Sequence, residues 1–182
     1  MTLVTRKGSD LIDSPLTSES LVAAVDIAFG RLAAELSLGF PSDRPFTVRL
    51  RGWSLADHLE HLSAWDEVER ARAEGRRSGA AAWILVGQAI GRRVRPRTDA
   101  QGAWERLEAR HAELREALLR LPEWRLRRPW HPAYPTTLAA DLLLNTSTHY
   151  DDHLSAIRAL LAAEAALPAD QDERSEGRTS AR

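Results

Sequence analysis

Apolar residues along this chain recur at intervals of three and four, the period of an α-helix with one buried face. Leu21, Val25, Ala28, Leu32 and Leu36 predict a first helix over residues 17–38, with Gly39 as its stop. Leu55, Leu59, Leu62 and Trp65 mark the apolar face of a second. It opens at Ser54, three residues before Asp57 in a capping-box pattern, and runs to Ala73 with Gly75 behind it. A third helix is capped by Thr98 and Gln101 and ends before Pro122. A turn holding Pro129, Pro132 and Pro135 then feeds a fourth helix over residues 136–166. Between the second and third, residues 80–90 read as a short linking helix and residues 91–97 as an arginine-rich loop. Residues 46–50 alternate weakly, and one short run makes no sheet, so no strand is expected. The expected fold class is all-α: a four-helix bundle with a long connection between helices 2 and 3, a frame whose ligand sites lie between facing helices. Residues 15–167 make up the bundle. Polar residues 1–14 read as a flexible N-terminal tail and charged residues 168–182 as a disordered C-terminal tail.

Composition changes this picture mainly by exclusion. At 182 residues, 43% of them hydrophobic, the chain is long enough for one domain with a full core. The 25 basic and 26 acidic side chains leave a net charge of −1, so no global field draws the molecule to nucleic acid or to an anionic membrane. The arginines at 92, 93, 95 and 97 can contact phosphate, but a solvated loop is the favoured reading. The absence of cysteine removes disulfides, thiol nucleophiles and thiolate metal sites. No apolar run approaches the ~18 residues of a membrane span, and the first residues lack the apolar core of a signal peptide. A cytoplasmic location is expected.

The six histidines supply the candidate chemistry. His58 and His61 lie on helix 2, His149 and His153 on helix 4. Stepping 100° per residue along helix 4 puts Leu142, Asn145, His149, Asp152, His153, Ala156 and Leu160 within one inward stripe. The i, i+4 spacing then stacks two imidazoles on successive turns, as two ligands of one metal ion require. Either His58 or His61 can reach across from helix 2 as a third. Three neutral nitrogens make an open site for zinc, nickel or iron, which would act as a Lewis acid or supply hydroxide near neutral pH. His111 and His131 are read as packed or surface residues. Trp53 and Trp65 flank helix 2, and Trp124 and Trp130 flank the turn into helix 4. Core and loop packing is the ordinary reading of these tryptophans, and an apolar pocket lining is the functional one.

The segment Trp53-Ser-Leu-Ala-Asp-His-Leu-Glu-His-Leu-Ser-Ala-Trp65 resembles the helix-two signature of the DinB-like superfamily, and Asn145-Thr-Ser-Thr-His-Tyr150 resembles the helix-four motif of its ClbS/DfsB family. Pro129-Trp130 also falls where that family often has Pro-Trp. The resemblance implies a metal triad on His61, His149 and His153, and it leaves His58 outside the ligand set. The family's characterised activity is hydrolysis of a cyclopropane in a DNA-alkylating natural product. This chain departs from that hydrolase: His61 stands where it has a functionally important tyrosine, and it lacks counterparts of His149 and His153. The resemblance leads to the expectation of an enzyme that hydrolyses or ring-opens a strained electrophile, in self-resistance or tailoring. In it Tyr150 would move a proton, and Asp152 or Asp57 would orient an imidazole. Trp53, His58, Trp65, Trp130 and Asn145 would line the substrate. The alternatives are a metal-dependent transferase of mycothiol or bacillithiol and a protein that sequesters a drug without turnover. A homodimer is expected from the habit of the superfamily.

Overall fold

Helix α1 (Ser18–Gly39) buries the stripe that its period marks: Leu21, Val25, Ala28, Leu32 and Leu36 are all 2% exposed or less. The computed structural model describes residues 17–39, 46–76, 99–130 and 136–167. Both expected tails, the linking helix at 80–90, the arginine-rich loop and His131 lie outside the described residues. The described chain is mostly helical.

Helix α2 (Leu55–Ala73) begins and ends as its sequence prescribes. The Ser54 hydroxyl accepts from the Asp57 N–H, and the Asp57 carboxylate accepts in turn from the Ser54 N–H at 2.7 Å, closing the capping box. At the other end Gly75, at φ 74°, lets its own N–H reach the Arg72 carbonyl and that of Arg76 reach Ala71. This is the two-bond helix stop that needs a left-handed residue, and glycine takes that conformation without a Cβ clash. Arg125 adds two donors to the Arg72 and Ala73 carbonyls. Helix α3 (Ala100–Leu119) is capped by Asp99, which accepts from the Gly102 N–H at 2.8 Å; of the expected pair, Thr98 lies outside the described residues and Gln101 donates to Glu105 within the helix. A carboxylate at the cap also meets the positive end of the helix dipole. Helix α4 (Glu123–Leu126) is a single turn that the period did not announce.

Two further expectations are corrected. A minimal ribbon does form, with β1 (Arg49–Leu50) antiparallel to β2 (Trp53–Ser54). Its two-residue turn has both central residues at positive φ, Arg51 at 52° and Gly52 at 86°, as the tight hairpin twist demands. Buried Glu164 pins the approach to this ribbon by accepting from the N–H groups of Thr47 and Val48.

The expected fourth helix is also interrupted. It runs as α5 (Leu138–Leu143), a π-helical turn (Leu144–Thr148) and α6 (His149–Ala165). A π-turn holds one residue more than an α-turn, so the buried face beyond it slips by one position. The buried residues are Thr146, Tyr150, Leu154 and Ile157, where the straight wheel expected Asn145, His149, Asp152 and Ala156. The cause is local. Asn145-Thr-Ser-Thr148 is a run of poor helix formers whose side chains compete for backbone bonds, and the Thr146 hydroxyl donates to the Leu142 carbonyl at 2.5 Å.

α2 lies along α3, while α1 packs across both α3 and α6. Leu55, Leu59, Leu62, Leu107, Leu114, Leu118, Leu138 and Leu142 fill the space between them at 1% exposure or less. Each such leucine contributes about 1.5–3 kcal/mol through burial. No described helix is long and apolar enough to cross a membrane.

Candidate metal centre

The slip in register places Tyr150 in the core and turns His149 and His153, on either side of it, toward α2. There they meet His58 and His61. One nitrogen from each of His61, His149 and His153 lies within 4.8 Å of the other two, a group that can hold a metal ion. His61 Nε2 is 3.0 Å from His149 Nε2. Two nitrogens bound ~2.0–2.1 Å from one ion stand about that far apart. The rings of His61 and His153 stack at 27° with centroids 4.9 Å apart, and His149 and His153 meet edge-on at 4.7 Å.

The electrostatics suit ligands. Burial pushes His61 down to about 3 and His153 to about 2, each further lowered by its neighbouring imidazoles. Burial also lowers His149, against a smaller upward pull from a hydrogen bond to the Asn145 backbone. All three are therefore neutral at neutral pH and offer lone pairs, the state that coordination requires. A backbone group that raises an imidazole pKa is an acceptor, so His149 donates to the Asn145 carbonyl. Its Nε2 faces His61, which leaves Nδ1 as the donor. Among the described residues His61 Nδ1 is the one buried histidine nitrogen with no hydrogen-bond partner.

The structure groups some of the expected site residues and separates others. Trp53, delivered by the hairpin, stands 5.0 Å from the His58 ring, 5.2 Å from His61 and 6.1 Å from His153. Trp65 stands edge-on to His149 at 5.7 Å and His61 at 6.4 Å. His58 is 8% exposed, and its Nδ1 is 2.7 Å from His153 Nδ1. Asn145 takes part through its carbonyl. Trp130 instead covers the Arg72 guanidinium at 4.6 Å, and Arg72 lies eleven residues beyond His61, roughly 16 Å along α2. Asp152 is exposed, and Asp57 is committed to the cap and to Arg49. The Tyr150 hydroxyl donates to Asp66, 2.6 Å from both carboxylate oxygens, and lies 3.2 Å from His111 Nδ1.

The period alone did not announce a second polar cluster, lower on α2. Asp66 and Glu69 are 0% exposed. Burial raises each to about 8, against the opposing pull of the Tyr150 hydroxyl on Asp66 and of Arg72 on Glu69. Arg72 Nη1 is 2.9 Å from Glu69 Oε1, 3.1 Å from Oε2 and 3.6 Å from Asp141. His111 Nε2 is 3.3 Å from Asp26, which closes the chain of contacts running from Asp66 through Tyr150. The signal was present: Leu55, Leu59, Leu62, Asp66, Glu69 and Ala73 form one uninterrupted helical stripe, and acids on a buried stripe are there by necessity of partners.

No family model matches the sequence, and neither a curated protein nor a solved structure matches it.

Proposed function

We propose that this chain is a DinB-like four-helix bundle of the ClbS/DfsB type. It holds one divalent metal ion on His61, His149 and His153 and opens a strained, electrophilic small molecule beside it. The observation that carries this reading is the convergence of three neutral imidazoles from α2 and α6 within 4.8 Å. A zinc, nickel or iron ion bound there supplies Lewis acidity at a coordination position that three ligands leave open. The surrounding residues fit an apolar guest: Trp53 and Trp65 stand edge-on to the half-buried imidazoles. Tyr150 and Asp152 are not among the reacting groups in this reading, because the hydroxyl of one is committed to Asp66 and the other is exposed.

The test has two parts. Metal analysis of protein never exposed to chelators is expected to find about one ion per chain. Incubation with an epoxide or aziridine probe, with and without a low-molecular-weight thiol, is expected to give a product heavier than the probe by one water. A product formed only with thiol would make the protein a thiol transferase. Tight binding without turnover would make it a sequestering protein. Absence of metal together with full activity in His149→Ala would end the metal reading.

A further inference from the structure

The three candidate ligands differ in what holds their second ring nitrogen. For His149 it is the Asn145 carbonyl, and for His61 it is nothing among the described residues. For His153 it is another imidazole. His58 sits one turn before His61 on α2, and its Nδ1 is 2.7 Å from His153 Nδ1. Like the His61 Nε2–His149 Nε2 contact, it is a hydrogen bond in the metal-free chain, since two lone pairs at these distances repel and one proton between them attracts; the tautomer decides which ring donates. His58 contributes no nitrogen to the group that closes on His61, His149 and His153. It therefore stands behind His153, not beside it.

We propose that His58 is a positioning residue of this centre: its Nδ1 accepts from the Nδ1–H of His153 and holds that ring with Nε2 turned to His61 and His149. The inference rests on the metal reading above and adds to it the way in which the centre is oriented. An imidazole has one proton when neutral. Placing it on Nδ1 of His153 leaves the Nε2 lone pair for the ion, and His58 then carries its own proton on Nε2. Trp53 packs against both rings and fixes their mutual angle at 76°.

In most metal sites the group behind a histidine is a carboxylate, a carbonyl or water. The two carboxylates closest in sequence do not serve here, because Asp57 is locked in the helix cap and Asp152 is exposed. The substitution of an imidazole has a chemical consequence. A carboxylate behind a ligand would offset part of the charge of the ion, whereas a neutral acceptor leaves it whole. With His149 facing a carbonyl as well, no carboxylate is hydrogen-bonded to a ligand, and the anion acting on the group is the exposed Asp152, through a small upward pull on His149. Such a centre trades affinity for a stronger Lewis acid.

Two variants of the full chain test this. His58→Phe keeps a planar ring and removes the acceptor, and His58→Gln keeps an acceptor. Zinc affinity, read by competition with a chromophoric chelator, is expected to fall about 10–100-fold in His58→Phe and to stay within about threefold of the parent in His58→Gln. Nitrogen-15 spectra of the metal-free protein are expected to show the His153 proton on Nδ1 in the parent and released from it in His58→Phe. Thermal melts of the metal-free variants check that the fold persists. Equal affinity in all three proteins would overturn the proposal, as would a loss in His58→Gln as large as in His58→Phe, or a proton found on His58 Nδ1. If the parent itself binds no zinc, both this proposal and the metal reading fall. If the parent binds and His58→Phe binds as well, only this one does.

Discussion

Helix α2 carries two buried polar clusters, and they are built on opposite plans. The lower one, around Asp66, Glu69 and Arg72, is closed: its acids lie at 0% exposure and meet an arginine or a hydroxyl at hydrogen-bond distance. The upper one is formed by His58, His61, His149 and His153, neutral rings that each bring one N–H and one lone pair, and its nitrogens face one another. Burying a polar group costs free energy unless a partner replaces water. The lower cluster meets that condition largely within the protein, through Arg72 and the Tyr150 hydroxyl, so its groups act on one another and hold α2, α3 and α6 in register. The upper cluster meets it only in part, and the electron pairs left over are what a cation takes. A buried polar cluster is thus read by its unused valence, not by its depth.

That contrast predicts different costs of disturbance. The largest belongs to Glu69→Ala, which strands the 4%-exposed Arg72 without its main hydrogen-bond acceptor. Urea unfolding should show a loss of about 3–5 kcal/mol, with zinc affinity of the folded protein unchanged. Tyr150→Phe removes the donor to Asp66 and should lose about 1–3 kcal/mol in the same assay. If either variant instead abolished metal binding and spared stability, the division between the clusters would be wrong.

Acidity should separate the clusters without mutation. Asp66 and Glu69 are raised from the usual carboxylate range to about 8 in the folded chain. The folded state therefore keeps protons that the unfolded state has lost. Their contribution is fully present below about pH 4 and is lost as pH rises through about 8. His58, His61 and His153 are lowered to between about 2 and 4, and His149 is lowered as well. The unfolded state takes protons there first, so their contribution is present above about pH 6.5 and is lost on acidification. Metal-free protein should then be most stable near pH 6.5, with an alkaline limb due to the lower cluster and an acid limb due to the upper. Denaturant midpoints across pH 4–9 check this, and Asp66→Asn should make the alkaline limb about half as steep, Glu69 supplying the rest. The smallest effect is expected for His149→Ala in metal-free protein, within about 1 kcal/mol, because no buried charge loses a partner.

Much of this is legible from the chain. The stripe of α1, both ends of α2 and the grouping of His61 with His149 and His153 come from spacing, caps and a motif. The rest is hidden for specific reasons. A helical wheel assumes constant rotation, and the Asn145-Thr-Ser-Thr148 run breaks that assumption, so the wheel places the inward face one residue too early. The ribbon at Arg49–Leu50 and Trp53–Ser54 depends on a non-glycine residue at φ 52°, which no alternation in the sequence marks. Asp66 and Glu69 are hidden because leucines mark a buried stripe, and an acid among them looks like an interruption until its partners are in place.

The π-turn gives the centre an unusual dependence on chain length. Within Leu144–Thr148 the added residue decides which way the rest of α6 points, and the polar side chains there hold the turn open. Removing any one of the five would wind the segment back to an ordinary helix and rotate everything after it by about a quarter turn. Tyr150 would leave its place against Asp66, and His149 and His153 would swing off the line to α2. The centre is thus keyed to a count as much as to a composition. Exchanges between polar residues along the turn keep the count, whereas a three-base deletion there dismantles it.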